Sequence, residues 1–266
     1  MNRRQFALAA ASVLAAPAAA VSEPYDPLGA AVAGAQRTPK NRARDPFRHP
    51  EASLAFWGLA PGMTVLEIDP SGGYWTEILA PYLQATHGRY IAAFPGDPAG
   101  FKARYADPAV WGQVQTADFS PTSGPLAGVA SVDLVLTARN IHDWMWTPGF
   151  LDKALADFKA VLKPGGILAV EEHRADPRPM VGDARDGYVS TAFLTSAVER
   201  AGFRLVAASE INANPKDTKD YPFGVWTLPP TLRSHAKDQP VPAGYDPAKY
   251  VAIGESDRMT LRFVRG

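Results

Sequence analysis

Six consecutive residues, Arg139-Asn140-Ile141-His142-Asp143-Trp144, put a cation, an amide, an imidazole and an indole at the end of one expected strand. An imidazole titrates near neutrality, so His142 is suited to take a proton from a nucleophile, and Asn140 and Arg139 beside it are the other candidate catalytic residues. A histidine that only donates to a nearby carbonyl reads equally well. A second polar run, Glu171-Glu172-His173-Arg174, closes another expected strand and would face the same cleft. His142, Glu172 and His173 could together offer nitrogen and oxygen ligands to a metal, but no spacing supports such a site and none is assigned. The third group follows the first strand: Glu67, then the turn Asp69-Pro-Ser71-Gly-Gly73, then Tyr74.

Other chemistries lack their residues. Cysteine is absent, which removes disulfides, thiol nucleophiles and thiolate metal sites. There is no glycine-rich dinucleotide fingerprint, no phosphate loop ending in Gly-Lys-Ser/Thr and no Gly-x-Ser-x-Gly elbow. Ser234-His-Ala-Lys237 matches a Ser-x-x-Lys pattern, which chance explains in an isolated tetrapeptide. Lys+Arg and Asp+Glu are both 27, and no basic run could track a phosphate backbone, so nucleic acid is not an expected partner.

Elements that could position these groups alternate from Pro50 onward, the pattern of a parallel sheet covered by helices. Glu51 to Leu59 reads as a helix, Thr64 to Ile68 as a buried strand, and Tyr74 to Leu83 as a helix with Pro81 inside it. Tyr90 to Phe94, Trp111 to Gln115, Val132 to Leu136, Ile167 to Val170, Phe203 to Ala207 and Arg258 to Val264 read as strands. Leu151, Leu155, Phe158 and Leu162 stripe one helix, which Pro164-Gly165-Gly166 is expected to stop. Another helix runs from about Thr191 to Ala201, with Gly202 where a positive φ is wanted. The segment between the last two strands, roughly 50 residues, is too long for a bare loop and reads as an ordered excursion. Gly187-Tyr188 and Trp226 could form a lid over the cleft or serve only as packing.

The chain has 266 residues, 46% hydrophobic and 20% charged, an ordinary soluble composition for one main domain. Arg3 and Arg4, the apolar stretch from Phe6 to Ala16 and the small residues Ala18-Ala19-Ala20 read as an export signal over residues 1–20, too short for a stable membrane span. The twin arginine resembles a Tat signal, with an ordinary Sec signal as the other reading. Residues 21–45, rich in Pro, Ala, Arg and Gly, read as a linker or an arm on the domain, which occupies 46–266. The expected location is periplasmic or otherwise outside a bacterial cytoplasm.

The stretch GLAPGMTVLEIDPSGGYWTEIL resembles the first motif of class I S-adenosylmethionine-dependent methyltransferases, and VLKPGGILAVEE resembles the helix, turn and strand that precede strand five in that superfamily. The two lie roughly 95 residues apart. The stretches TEILAPYL, ARNIHDW and INANPKDTKDYPFGVWTLPP are similar to those of a group of exported bacterial methyltransferases. The resemblance implies a Rossmann-like α/β fold: a seven-stranded, mostly parallel sheet with an antiparallel last strand and helices on both faces. It implies S-adenosyl-L-methionine as cofactor and a small molecule or another, unknown, methyl acceptor, with Glu67, Asp69, Ser71, Gly73 and Tyr74 at the cofactor. Where the superfamily alternates glycines, this chain has Asp69, Ser71 and Gly73, and Asp69 could meet the cofactor's cationic groups. Where an acid usually ends strand two stands Phe94; Asp97 could substitute for it or cap a turn. Asp118 falls where a carboxylate often meets the adenine, or it is a cap. A binding or scaffold module that keeps the fold without the chemistry is the alternative.

Overall fold

The computed structural model describes residues 25–177, 179, 180 and 183–266. The export signal expected over residues 1–20 lies outside them. Among the described residues no helix is long and apolar enough to cross a membrane.

Three short helices, α1 (Pro27–Ala33), α2 (Pro39–Arg42) and α3 (Asp45–Arg48), form an arm that leads into α4 (Pro50–Trp57). Each helix has proline in its first turn, where the missing N–H costs nothing. The alternating part follows as β1 (Thr64–Ile68), α5 (Thr76–Ala85), β2 (Arg89–Phe94), α6 (Ala99–Arg104), α7 (Pro108–Trp111), β3 (Gln115–Asp118) and β4 (Val132–Ala138). Next come α8 (Ile141–Trp144), α9 (Phe150–Val161), β5 (Leu162–His173), α10 (Thr191–Arg200) and β6 (Phe203–Ser209). A 3-10 turn (Gly224–Thr227), α11 (Pro247–Ile253) and β7 (Arg258–Arg265) complete the chain.

The strands form one sheet in the order β3-β2-β1-β4-β5-β7-β6, with β7 antiparallel to both neighbours and the other pairings parallel. This is the seven-stranded architecture the resemblance implies. Strand order reverses between β1 and β4, so the carboxyl ends of those strands form the crevice where such sheets bind ligands. β1 is buried along its whole length, as a central parallel strand must be. Leu66, Ile68, Val135 and Leu168 pack on one face with α9 and α10, and Val65, Leu134, Leu136 and Ala169 on the other with α4 and α5.

Two boundaries differ from the sequence reading. The third strand is Gln115–Asp118 rather than Trp111–Gln115: Asp107 caps a helical turn that takes in Trp111, and only the chain after it reaches β2. Pro164-Gly165-Gly166 does not separate a helix from a strand. It is accommodated as a bulge inside β5, whose pairing with β4 starts at Val132↔Leu162 and resumes at Leu134↔Ile167.

Pro81 lies within α5 and lacks the N–H that would bond to the Glu77 carbonyl one turn earlier. The arm replaces that donor, since Gln36 Nε2 donates to Glu77 O at 3.3 Å. Thr38 N donates to the Glu77 carboxylate at 2.8 Å, and Asn41 Nδ2 to Gly72 O at 3.3 Å. Arg37 and Asp45 form a bidentate pair at 2.6 and 2.7 Å, and Tyr74 Oη donates to the same Asp45. The arm is thereby tied to the first turn and to α5.

Candidate functional site

The turn after β1 explains where chemistry can occur. Asp69, Ser71 and Gly73 all have positive φ, at 48°, 48° and 79°. The chain therefore keeps the backbone that alternating glycines would adopt, but two of the three positions carry side chains, a conformation that costs about 1–2 kcal/mol per residue outside glycine. Gly73 is needed as glycine, because a Cβ there would lie 1.9 Å from Tyr105 Oη. Arg139, at the end of β4, is a further non-glycine residue with positive φ, at 63°. Strained backbone thus gathers at one crevice, as it does at sites that over-determine their geometry.

The side chains there are specifically held. Glu67 is buried and accepts from Tyr90 Oη at 2.5 Å and Thr76 Oγ1 at 2.9 Å; burial, which outweighs those two bonds, pushes its pKa up to about 7. Asp69 accepts from the Trp144 indole at 3.3 Å, a link between the turns after β1 and β4. Burial raises its pKa to about 6, against the indole and helped by Asp143. Tyr74 is buried over the arm, with the Arg48 guanidinium carbon 4.4 Å from its ring centre. Asn140 Nδ2 donates to Ile68 O at 2.9 Å, which fastens the end of β4 to the end of β1.

His142 and Glu172 form a buried pair, with Nδ1 and Oε1 3.0 Å apart. Glu172 also accepts from the backbone N–H groups of Ile141, His142 and His173. Burial lowers the His142 pKa, but the Glu172 carboxylate, with help from Asp143, more than offsets this and holds it above the ordinary value. His173 behaves oppositely: burial and the neighbouring cations His142 and Arg139 hold it well below the usual range, so it stays neutral. Ligand atoms of His142, Glu172 and His173 lie within 4.8 Å of one another. Both oxygens of Glu172 accept from N–H groups, while the His173 ring turns its Nδ1 to Ser256 Oγ at 2.5 Å. Trp146 and Trp226 flank the His142 ring at 6.0 and 5.7 Å, and Tyr188 packs 6.4 Å from His173.

Asp97 and Asp118 stand at the rim. Both are exposed; Asp97 accepts from Ala99 N at 2.9 Å in the turn before α6, and Asp118 pairs in register with Phe94 and meets Ser120 Oγ at 3.5 Å. Two hollows flank the Asp69-Pro70-Ser71 turn. One, of about 390 Å³, lies between Phe94, Gly100, Phe101 and Arg104. The other, of about 50 Å³, is walled by Asn41, Arg44, Arg48, Tyr74 and Arg139. The arm residues in that wall were not read from the sequence as site residues. The available signal was Arg44 and Arg48, four residues apart and so on one helical face, in a segment whose helices are too short to show periodicity.

No family model matches the chain, and no curated protein matches it. Solved structures are similar to it. A SAM-dependent methyltransferase from Aquifex aeolicus has a TM-score of 0.52 at 21% identity, over 71% of this chain and 94% of its own. The cyclase SpnF has a TM-score of 0.56 at 16% identity, over 88% and 85%. A SAM-dependent methyltransferase from Methanosarcina mazei has a TM-score of 0.51 at 11% identity, over 80% and 96%. At these identities the likeness establishes the fold.

Proposed function

We propose that the chain is an S-adenosylmethionine-dependent methyltransferase acting on a small molecule, exported by a bacterium through its leader. The observation that carries this reading is the pair of hollows that meet at the Asp69–Ser71 turn, at the strand-order reversal. The larger, about 390 Å³, is of the size that small ligands occupy, and Phe94 and Phe101 give it apolar aromatic walls suited to a nucleoside base. The smaller combines guanidinium groups with the Asp69 carboxylate, which suits a charged amino-acid end. The residues present therefore fit the cofactor, although Phe94 stands where an acid is usual.

When bound, the cofactor supplies an electrophilic methyl group. The protein's share is to hold the acceptor in line and to remove its proton as the new bond forms. Glu172 accepts from Nδ1–H, which fixes the His142 tautomer and leaves the Nε2 lone pair, 3.4 Å from Asp143 Oδ1, to take that proton. Asp69 and Ser71 line both hollows and would lie along the cofactor between its two ends. The leader at residues 1–20 supports delivery to the periplasm by Tat or Sec. Tat would carry the chain already folded.

Calorimetry of the purified protein with S-adenosylhomocysteine tests the reading. Micromolar binding is expected. No detectable binding would overturn it and leave the fold as a scaffold.

A further inference from the structure

Outside the two hollows, the chain after β4 and the end of β5 bring together two imidazoles and a carboxylate. His142, in α8, and Glu172 and His173, closing β5, are all buried, and their ligand atoms lie within 4.8 Å of one another. Ligands about 2.1 Å from a tetrahedral ion stand about 3.4 Å from each other. His142 Nδ1 and Glu172 Oε1, 3.0 Å apart, are already near that spacing, so at most His173 has to move in.

The neighbours leave one nitrogen of each ring available to an ion. Ser256 Oγ lies 2.5 Å from His173 Nδ1, and no described residue hydrogen-bonds to Nε2 of that ring. Asp143 Oδ1 lies 3.4 Å from His142 Nε2, which leaves Nδ1 on the side of Glu172. A metal-bound imidazole ordinarily gives its other N–H to a carboxylate or similar acceptor, which sets the tautomer. Asp143 and Ser256 stand where those acceptors belong. Glu172 is also held in place: His173 N donates to Oε1 at 2.8 Å and Ile141 N to Oε2 at 2.7 Å. A carboxylate oxygen has two lone pairs, so Oε1 keeps one for an ion when His142 Nδ1 no longer donates to it.

The donor set selects the ion. Two imidazole nitrogens and one carboxylate oxygen suit zinc and its neighbours among the divalent transition metals, whereas magnesium and calcium prefer oxygen alone. Three protein ligands leave a tetrahedral ion one position for water or for an atom of a bound molecule. Trp146 and Trp226 flank the His142 ring and Tyr188 the His173 ring, so aromatic groups wall the cluster from bulk water.

We infer that His142 Nδ1, Glu172 Oε1 and His173 Nε2 form a binding site for a divalent transition-metal ion of the zinc class, with Asp143 and Ser256 orienting the two rings. The site goes beyond the proposed function and does not depend on it. The ion takes the place of the hydrogen bond between His142 and Glu172: the ring keeps one proton, moved from Nδ1 to Nε2, where Asp143 accepts it. With the ion in place His142 is a ligand, and its role as a base belongs to the metal-free chain.

Calorimetry of the untagged, chelator-treated protein with zinc chloride tests the site, together with NMR of the five histidines. One Zn²⁺ per chain is expected, with a Kd of about 1 μM or lower. The signals of His142 and His173 should move as the ion is added, while those of His49, His87 and His235 stay in place. His142→Ala and His173→Ala should each weaken binding by more than about 100-fold, and Asp143→Ala by about 10- to 100-fold. Magnesium chloride in excess should not displace the ion. The site is overturned by the lack of stoichiometric binding, by binding that survives in both histidine variants or is untouched by Asp143→Ala, or by movement of the other three histidines alone. The NMR result needs no variant, so it decides the matter even if a variant fails to fold.

Discussion

At the scale of single residues, the crevice joins groups whose titration is displaced in opposite directions, and this gives measurable consequences. Glu67 holds its proton in the folded state up to about pH 7, whereas the unfolded chain releases it near its ordinary value of 4.5. Its contribution to stability is therefore complete below that value and is lost as pH rises through 7, a fall of about 3 kcal/mol. Glu67→Gln should flatten this part of the stability curve, measured by urea unfolding between pH 4 and 8; an unchanged curve would show that the carboxylate is not held neutral. His142 should titrate above 6.5 and His173 should stay neutral, both followed by NMR, where five histidines leave few signals to assign. Glu172→Gln should bring His142 below 6.5, because burial and the Arg139 charge then act unopposed except by Asp143. At this scale the sequence was informative where residue type carried the information. Asp69, Ser71 and Gly73 were placed on a glycine-like turn, and all three have positive φ. The partners of those residues were not readable: Trp144 reaches Asp69 across two turns, and Glu172 finds His142 across the gap between β4 and β5.

At the scale of elements, strands with one consistent environment were legible and those with mixed environments were not. β1 and β4 are apolar runs because both faces are covered. β3 is a half-exposed edge strand of four residues, and the apolar Trp111 and Val114 before it drew the reading towards the preceding turn. The arm helices are four to seven residues long, too short to show periodicity, and owe their position to side chains distant in sequence. Asp45 is the clearest of these, since it holds both Arg37 and the Tyr74 hydroxyl. Asp45→Ala strands a buried guanidinium and a buried hydroxyl and should cost about 3 kcal/mol in denaturant unfolding. It should also expose the arm to limited proteolysis before the rest of the domain is cut; an arm as resistant as that of the wild type would show that Asp45 does not hold it.

At the scale of the whole molecule, the sheet was legible because its motifs recur at the spacing the fold imposes, while the joining of arm to last strand was not, since no local pattern encodes it. The export signal proposed over residues 1–20 carries the remaining expectation. With Arg3 and Arg4 both replaced by lysine, a Tat-dependent chain should stay in the cytoplasm, as cell fractionation would show; continued export would identify the Sec route instead. The ion pairs between the arm and Glu255 have a further meaning for the order in which the molecule can assemble. Arg44 and Arg48 reach Glu255 across more than 200 residues. A chain growing from its amino end carries the arginines long before their counter-charge has been made. Until residues 255 to 258 appear, the arm can reach Glu77, Gly72 and Tyr74, but Arg44 and Arg48 lack the carboxylate that pairs them. An arm whose two arginines are paired is thus a mark of a finished fold.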